Sequence, residues 1–136
     1  MDSRNFHVTI KGLFFDERGR ILLVREPSGV WDLPGGRLEH GETFHAALRR
    51  ECREEMALEC EILDPAPHWA WSARDRDGLW KVVLCFRIRL ASLAFTASDE
   101  CVAVDFFDVS GFESAAVAPQ TRPLLHYLRG FSASSL

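Results

Sequence analysis

Apolar and polar positions alternate most cleanly over residues 79–90. Trp80, Val82, Leu84, Phe86, Ile88 and Leu90 fall on one side, and Lys81, Cys85, Arg87 and Arg89 on the other. That period of two predicts a strand with one face toward a core, so Trp80 and the phenylalanines are expected inside. Asp75-Arg76-Asp77-Gly78 stands just before it and predicts a turn back to a strand over residues 68–73. Toward the N-terminus, residues 6–15 are β-prone. Asp16-Glu17-Arg18-Gly19-Arg20 reads as a turn into a strand over residues 21–25, so these two are expected to form a hairpin. Further strands are expected at 58–63, closed by Pro65 and Pro67, and at 102–109.

Two segments follow a different rule. Residues 43–56 hold strong helix formers with no Gly or Pro inside and Gly41 before them. A last helix is expected over 120–129, with Arg122 and Pro123 near its start and Gly130 as its stop. Strands and helices mixed in this way imply an α/β fold with a sheet packed between helices.

Composition narrows the classes. The 136 residues point to one domain, 1–136, with 47% hydrophobic and 26% charged residues, a globular balance. A net charge of -4 disfavours a dedicated nucleic-acid binder, which needs a basic footprint on phosphate. No apolar run approaches the ~20 residues of a membrane span, and Met1-Asp2-Ser3-Arg4 opens no secretory signal. Cys52, Cys60, Cys85 and Cys101 form no Cys-x-x-Cys pair and no zinc-like spacing with the histidines. Buried, reduced thiols and a cytoplasmic setting are therefore expected.

The helix after Gly41 carries the candidate chemistry. With Phe44 as origin, Leu48 lies at about 40°, Cys52 at about 80° and Ala47 at about 300°, an inward stripe. Glu51 falls at about 340°, Glu55 at about 20° and Glu54 at about 280°, so the acids continue the apolar face. Arg49, Arg50 and Arg53 take the opposite side. Carboxylates at a core edge must be compensated, by salt bridges or by a hard divalent cation such as Mg2+ or Mn2+. Gly35-Gly36 just upstream permits unusual backbone angles and close approach to main-chain atoms. Glu42 stands at the helix entrance, and the Arg50 fork is placed to orient neighbouring carboxylates.

Gly36, five residues, Glu42, seven residues, then Arg50-Glu51-Cys52-Arg53-Glu54-Glu55 resembles the Nudix box, Gly-x5-Glu-x7-Arg-Glu-U-x-Glu-Glu-x-Gly-U with U aliphatic. Trp31-Asp32-Leu33-Pro34-Gly35-Gly36 is similar to that family's lead-in. Two positions depart: Cys52 fills the first aliphatic slot, and Ala57 replaces the last glycine, where a left-handed residue costs about 1 kcal/mol without glycine. The box spans residues 36–58.

The resemblance to Nudix (MutT-like) hydrolases implies an α/β/α sandwich around a mixed, curved β-sheet. It implies a Mg2+-dependent hydrolase, with Mn2+ as an alternative, of nucleoside diphosphates linked to another moiety. By carry-over, Glu51, Glu54 and Glu55 would be metal ligands with the Gly35 carbonyl, and Glu51 would also receive the proton from the attacking water. Arg50 and Glu42 would complete the catalytic group. Some relatives recruit a distant acid, for which Glu100 or Asp105 stands here.

For substrate, Arg25 and Arg37 could meet phosphate beside Gly36, and Trp69 could stack on a base. Markers of dinucleoside polyphosphate, ADP-ribose and NADH hydrolases are missing, which leaves a nucleoside triphosphate-like substrate by elimination. The expected partner is thus a small nucleotide diphosphate, with no nucleic acid and no membrane, on a monomer or homodimer. Two other readings compete: a module that binds a nucleotide or sugar nucleotide without cleaving it, and an isomerase of a diphosphate, for which Cys60 would be the cysteine to consider.

Overall fold

A computed structural model describes residues 4–130. Met1, Asp2 and Ser3, read above as part of a start without a signal, lie outside the described residues. Among the described residues, eight strands and three short or medium helices follow one another: β1 His7–Leu13, β2 Ile21–Arg25, β3 Trp31–Asp32, β4 Gly35–Arg37, α1 Phe44–Met56, β5 Cys60–Ile62, β6 Trp69–Arg74, β7 Trp80–Leu90, β8 Ala103–Phe107, α2 Val109–Ser114 and α3 Leu124–Arg129. A 3-10 turn over Pro119–Thr121 precedes α3.

The main sheet is mixed, in the order β4-β1-β7-β5 with β6 also on β7. At its centre β1 and β7 run parallel, from His7 opposite Lys81 to Leu13 opposite Arg87. A second sheet has the order β3-β2-β8. The central strands are apolar on both faces. Leu22 and Val24 of β2, with Phe86, Ile88 and Leu90 of β7, pack toward α1. Ile21 and Leu23, with Val83 and Cys85, pack with Phe112, Leu124 and Leu128 on the side of α2 and α3. Two apolar layers on a sheet between helices make the predicted α/β/α sandwich.

Several local expectations need correction. The 16–20 turn forms, with Asp16 N–H donating to the Arg20 carbonyl at 2.9 Å. The strands it joins do not make a hairpin ladder. Past the Phe15–Ile21 bridge, β1 goes to β4 and β7 while β2 goes to β3 and β8. Each strand needs apolar cover on both faces, which one two-stranded ribbon cannot supply. The face of β7 read as polar holds fully buried Val83 and Cys85 for the same reason.

Trp80 and Phe44 are 39% and 40% exposed, not core. Trp80 lies at the sheet margin against Phe6 and beneath the Arg74 guanidinium. The strand expected to reach Val109 ends at Phe107, because Asp108 caps α2 through a 2.7 Å bond from Gly111 N–H. The expected final helix divides at Pro123, which has no N–H to continue the ladder. The 75–78 turn and the strand pair β6–β7 are as predicted, from Trp69 opposite Cys85 to Arg74 opposite Trp80.

All four cysteines are buried free thiols. Among the described residues, no helix is long and apolar enough to cross a membrane. Asp64, after β5, ties that strand's end to β7 by accepting from the Arg87 side chain and its backbone N–H. Burial alone would raise the Asp64 pKa, but the Arg87 fork holds it below the ordinary value.

Helix α1 places the candidate site, and both its ends are set by local chemistry. Thr43 caps the start, its side chain accepting from Ala46 N–H at 3.1 Å. At the other end Ala57 takes the left-handed conformation, φ 56° and ψ 37°, and donates to the Arg53 carbonyl. Here an alanine occupies the conformation that favours glycine. Ala57→Gly is therefore expected to stabilise the protein by roughly 0.5–1 kcal/mol, the relief of left-handed strain less the entropy of a freer unfolded chain. Urea unfolding of the two proteins measures it, and an unchanged or lower midpoint would contradict the strain.

Candidate metal centre

The two glycines before α1 are dictated by what lies against them. Gly35 has φ +129°, and a Cβ there would overlap the Ile10 carbonyl of β1. At Gly36 a Cβ would stand 2.6 Å from the Glu51 carboxyl carbon. Bare backbone at Gly36 therefore lets Glu51 lie flat on β4, and a larger residue there would push the Glu51 carboxylate aside. Gly35 N–H then donates to Glu55 Oε1 at 2.7 Å. One turn of α1 is thus docked on β4 through its acids rather than through apolar contact.

These acids are inside. Glu51 is 9% exposed and Glu55 7%. Burial pushes the Glu55 carboxyl up to about 8 despite nearby Lys11 and the Gly35 N–H. Glu51 is raised as well, first by burial, with Arg50 opposing. A third carboxylate comes from far along the chain. Ser98 donates from its hydroxyl to the Glu55 backbone carbonyl at 2.8 Å and accepts from Glu100 N–H at 3.2 Å. That serine ties the loop before β8 to the end of α1. As a result one oxygen from each of Glu51, Glu55 and Glu100 lies within 4.8 Å of the others. Glu55 and Glu100 open on a cavity of about 360 Å³.

Arg50 gathers the surrounding acids. Its Nε donates to Glu42 Oε2 at 2.7 Å, and Nη1 donates to Glu51 at 3.0 Å and Glu54 at 3.1 Å. Its Nη2 reaches the Arg37 carbonyl. Glu42 therefore serves Arg50 and the Glu39 N–H, not the N–H groups of the helix. Glu54 is half exposed beside Arg50, outside the close trio.

Sequence reading missed Lys11. It stands in the middle of β1, 6% exposed, and its ammonium donates to Asp32 Oδ2 at 3.2 Å and to the Leu33 and Gly35 carbonyls at 3.1 Å. Burial works against its charge, yet Asp32 and Glu55 hold its pKa above the ordinary lysine value. Asp32 in turn accepts from Thr121 Oγ1 at 2.5 Å and from its neighbour Leu33 N–H at 2.7 Å. The only available signal was a charged residue interrupting an apolar strand.

The remaining candidates lie elsewhere. Arg25 at the end of β2 sits over the Trp31 ring, and Arg37 donates to His7. Trp69 stacks on Tyr127 at 5.0 Å and meets Phe15 edge-on, in the cluster on the α2 and α3 side. Asp105 pairs with Leu23 across β2 and β8, and its carboxylate accepts from Phe106 N–H. None of these four lines the cavity, and neither does Cys60, which is buried in the α1-side core.

A family model described as "NUDIX domain" matches residues 5–128. The chain is 37% identical over 81 residues to the human 8-oxo-dGDP phosphatase NUDT18, covering 57% of this chain and 24% of that protein. It is 33% identical over 76 residues to an 8-oxo-dGTP diphosphatase of Proteus vulgaris, covering 50% of this chain and 67% of that one. An isopentenyl-diphosphate Delta-isomerase of Salmonella heidelberg matches at 31% over 104 residues, 69% of this chain and 58% of that protein. Among solved structures, the E. coli ORF135 protein superposes with a TM-score of 0.75 at 21% identity, over 96% of this chain and 93% of that one.

Proposed function

The chain belongs to the NUDIX domain family, and from that premise we propose that it is a divalent-metal-dependent pyrophosphohydrolase. Its substrate is a nucleoside diphosphate linked to another moiety, of the nucleoside triphosphate type. The observation that carries this reading is the meeting of Glu51, Glu55 and Glu100 at one edge of an open cavity. Glu51 and Glu55, buried with Arg50 and Lys11 beside them, still face each other and the exposed Glu100 at close range, and hard oxygen donors at that spacing suit Mg2+ or Mn2+.

Bound there, the cation would neutralise the bridging phosphates and acidify a water for in-line attack on phosphorus. Glu51, Glu55 and Glu100 would hold it, with Glu54 as a further ligand from the rim. The Gly35 carbonyl is the backbone candidate, its direction set by the bond it accepts from Lys11. Glu51 receives the proton of the attacking water, kept in position by Arg50 and by the open backbone of Gly36. Arg50, itself held by Glu42, keeps Glu51 and Glu54 from swinging apart.

The two relatives named for 8-oxo nucleotides support including oxidised deoxynucleotides in the test. The isomerase relative has less support, because Cys60 is away from the cavity. The experiment is hydrolysis of a panel with Mg2+, with EDTA as control: canonical and oxidised nucleoside di- and triphosphates, ADP-ribose, diadenosine polyphosphates, NADH and sugar nucleotides. Metal-dependent release of phosphate or pyrophosphate from one class, abolished by EDTA, is expected. Tight binding without turnover would instead favour a sensor, and turnover undiminished by EDTA would sink the metal assignment.

A further inference from the structure

The cavity beside the carboxylate trio has a one-sided charge. Glu26, Asp32, Glu55, Asp99 and Glu100 line it, and among the described residues only two cations do, Lys11 and Arg76. Lys11 is buried and its donors are taken by Asp32 and two carbonyls. Arg76 differs in every respect. It is exposed, and it makes no ion pair or hydrogen bond among the described residues.

The backbone carrying Arg76 is held firmly. Asp75 N–H donates to the Leu79 carbonyl at 2.9 Å, Gly78 N–H to the Asp75 carbonyl at 3.1 Å, and the Asp75 carboxylate accepts from Asp77 and Leu79 N–H. The other arginine of the hairpin, Arg74, is engaged with the Trp80 ring and the Gly78 carbonyl. Arg76 also lines a neighbouring cavity of about 170 Å³ together with Glu26, its neighbours Asp75 and Asp77, Ala118 and Gln120. It therefore borders both the carboxylate site and a second recess, with its guanidinium uncommitted.

We propose that Arg76 binds the phosphate chain of the substrate at the mouth of the site, through an oxyanion of that chain. A guanidinium fork matches phosphate oxygens and keeps its charge at all working pH values. An acid-lined cavity otherwise repels a polyphosphate, so one free cation at its rim has a large share in selecting for phosphate. This assignment rests on the hydrolase reading above.

The test uses the full chain and the variants Arg76→Ala, Arg76→Lys and Arg74→Ala. Steady-state kinetics on whichever panel compound is hydrolysed are combined with calorimetric titration of inorganic triphosphate in Mg2+. Loss of a charge-assisted bond predicts that Arg76→Ala raises KM and the triphosphate Kd about tenfold or more. The Lys variant recovers part of both, and kcat falls far less than KM rises. Arg74→Ala, with the same charge change on the same hairpin, stays within about twofold of the parent.

Parent-like KM and Kd in Arg76→Ala, or an equal loss in Arg74→Ala, would overturn the assignment. So would a parent protein that does not bind triphosphate. If the parent hydrolyses nothing on the panel, the hydrolase reading fails, and the triphosphate titration alone still decides the role of Arg76.

Discussion

Glu55→Gln is expected to lower metal-dependent turnover by about 10³-fold or more while the fold persists, because charge stabilisation worth several kcal/mol at the transition state is withdrawn. The amide keeps the volume, and its oxygen can still accept from Gly35 N–H where Glu55 Oε1 does now. Nor does the substitution remove a stabilising charge. Burial raises the Glu55 pKa from 4.5 to about 8, so the ionised form is the one disfavoured in the folded protein. A raised carboxyl pKa makes the metal-free protein lose stability as pH climbs from about 4.5 to about 8, where the folded state holds the extra proton. The neutral amide is free of that loss. Thermal unfolding with and without Mg2+, beside the rate assay, separates the effects: the parent should gain stability from the cation and Glu55→Gln should not. Near-parental activity in the variant would exclude Glu55 as a ligand.

Lys11→Met should be the most damaging substitution for stability, at about 3–5 kcal/mol, since breaking a buried ion pair leaves its partner charge uncompensated. Asp32 is 4% exposed and would keep only Thr121 Oγ1 and Leu33 N–H. The Leu33 and Gly35 carbonyls would lose a donor as well, loosening the segment that seats Glu55. Urea unfolding measures the loss. Lys11→Met with Asp32→Asn should recover part of it, because the second change removes the orphaned charge. A cost below about 1 kcal/mol for Lys11→Met would show that Asp32 is solvated and the network unimportant.

The legibility of this site in sequence tracks the distance over which its parts communicate. Glu51 and Glu55 were readable because helical periodicity alone puts them on the stripe of Leu48 and Cys52, and both are buried there. The same arithmetic over-reached at Phe44, where the helix begins and the stripe is not yet covered. Gly35 and Gly36 were readable as sites of close approach. What approaches them, however, is the Ile10 carbonyl and the Glu51 carboxylate.

Glu100 and Asp105 could not be ranked from sequence, since both are acids in the same downstream region. Ser98 separates them by fastening one loop to α1, and Asp105 stays on its strand. Arg25, Arg37 and Trp69 have the right chemistry for a nucleotide; the structure sets them against Trp31, His7 and Tyr127, off the wall of the carboxylate cavity.

The sequence by itself determined the helix with its inward acids, the glycine pair, the 75–78 turn and the layered α/β class, because each depends on residues a few positions apart and on backbone geometry. Only the tertiary structure decided the parting of β1 from β2 into two sheets, the placing of Glu100 beside Glu51 and Glu55, the Lys11–Asp32–Thr121 network and the place of Arg76 on the cavity wall. Asp32 and Thr121 are 89 positions apart. Contacts at such separations follow from how whole layers pack, and no local period of hydrophobic and polar residues encodes them.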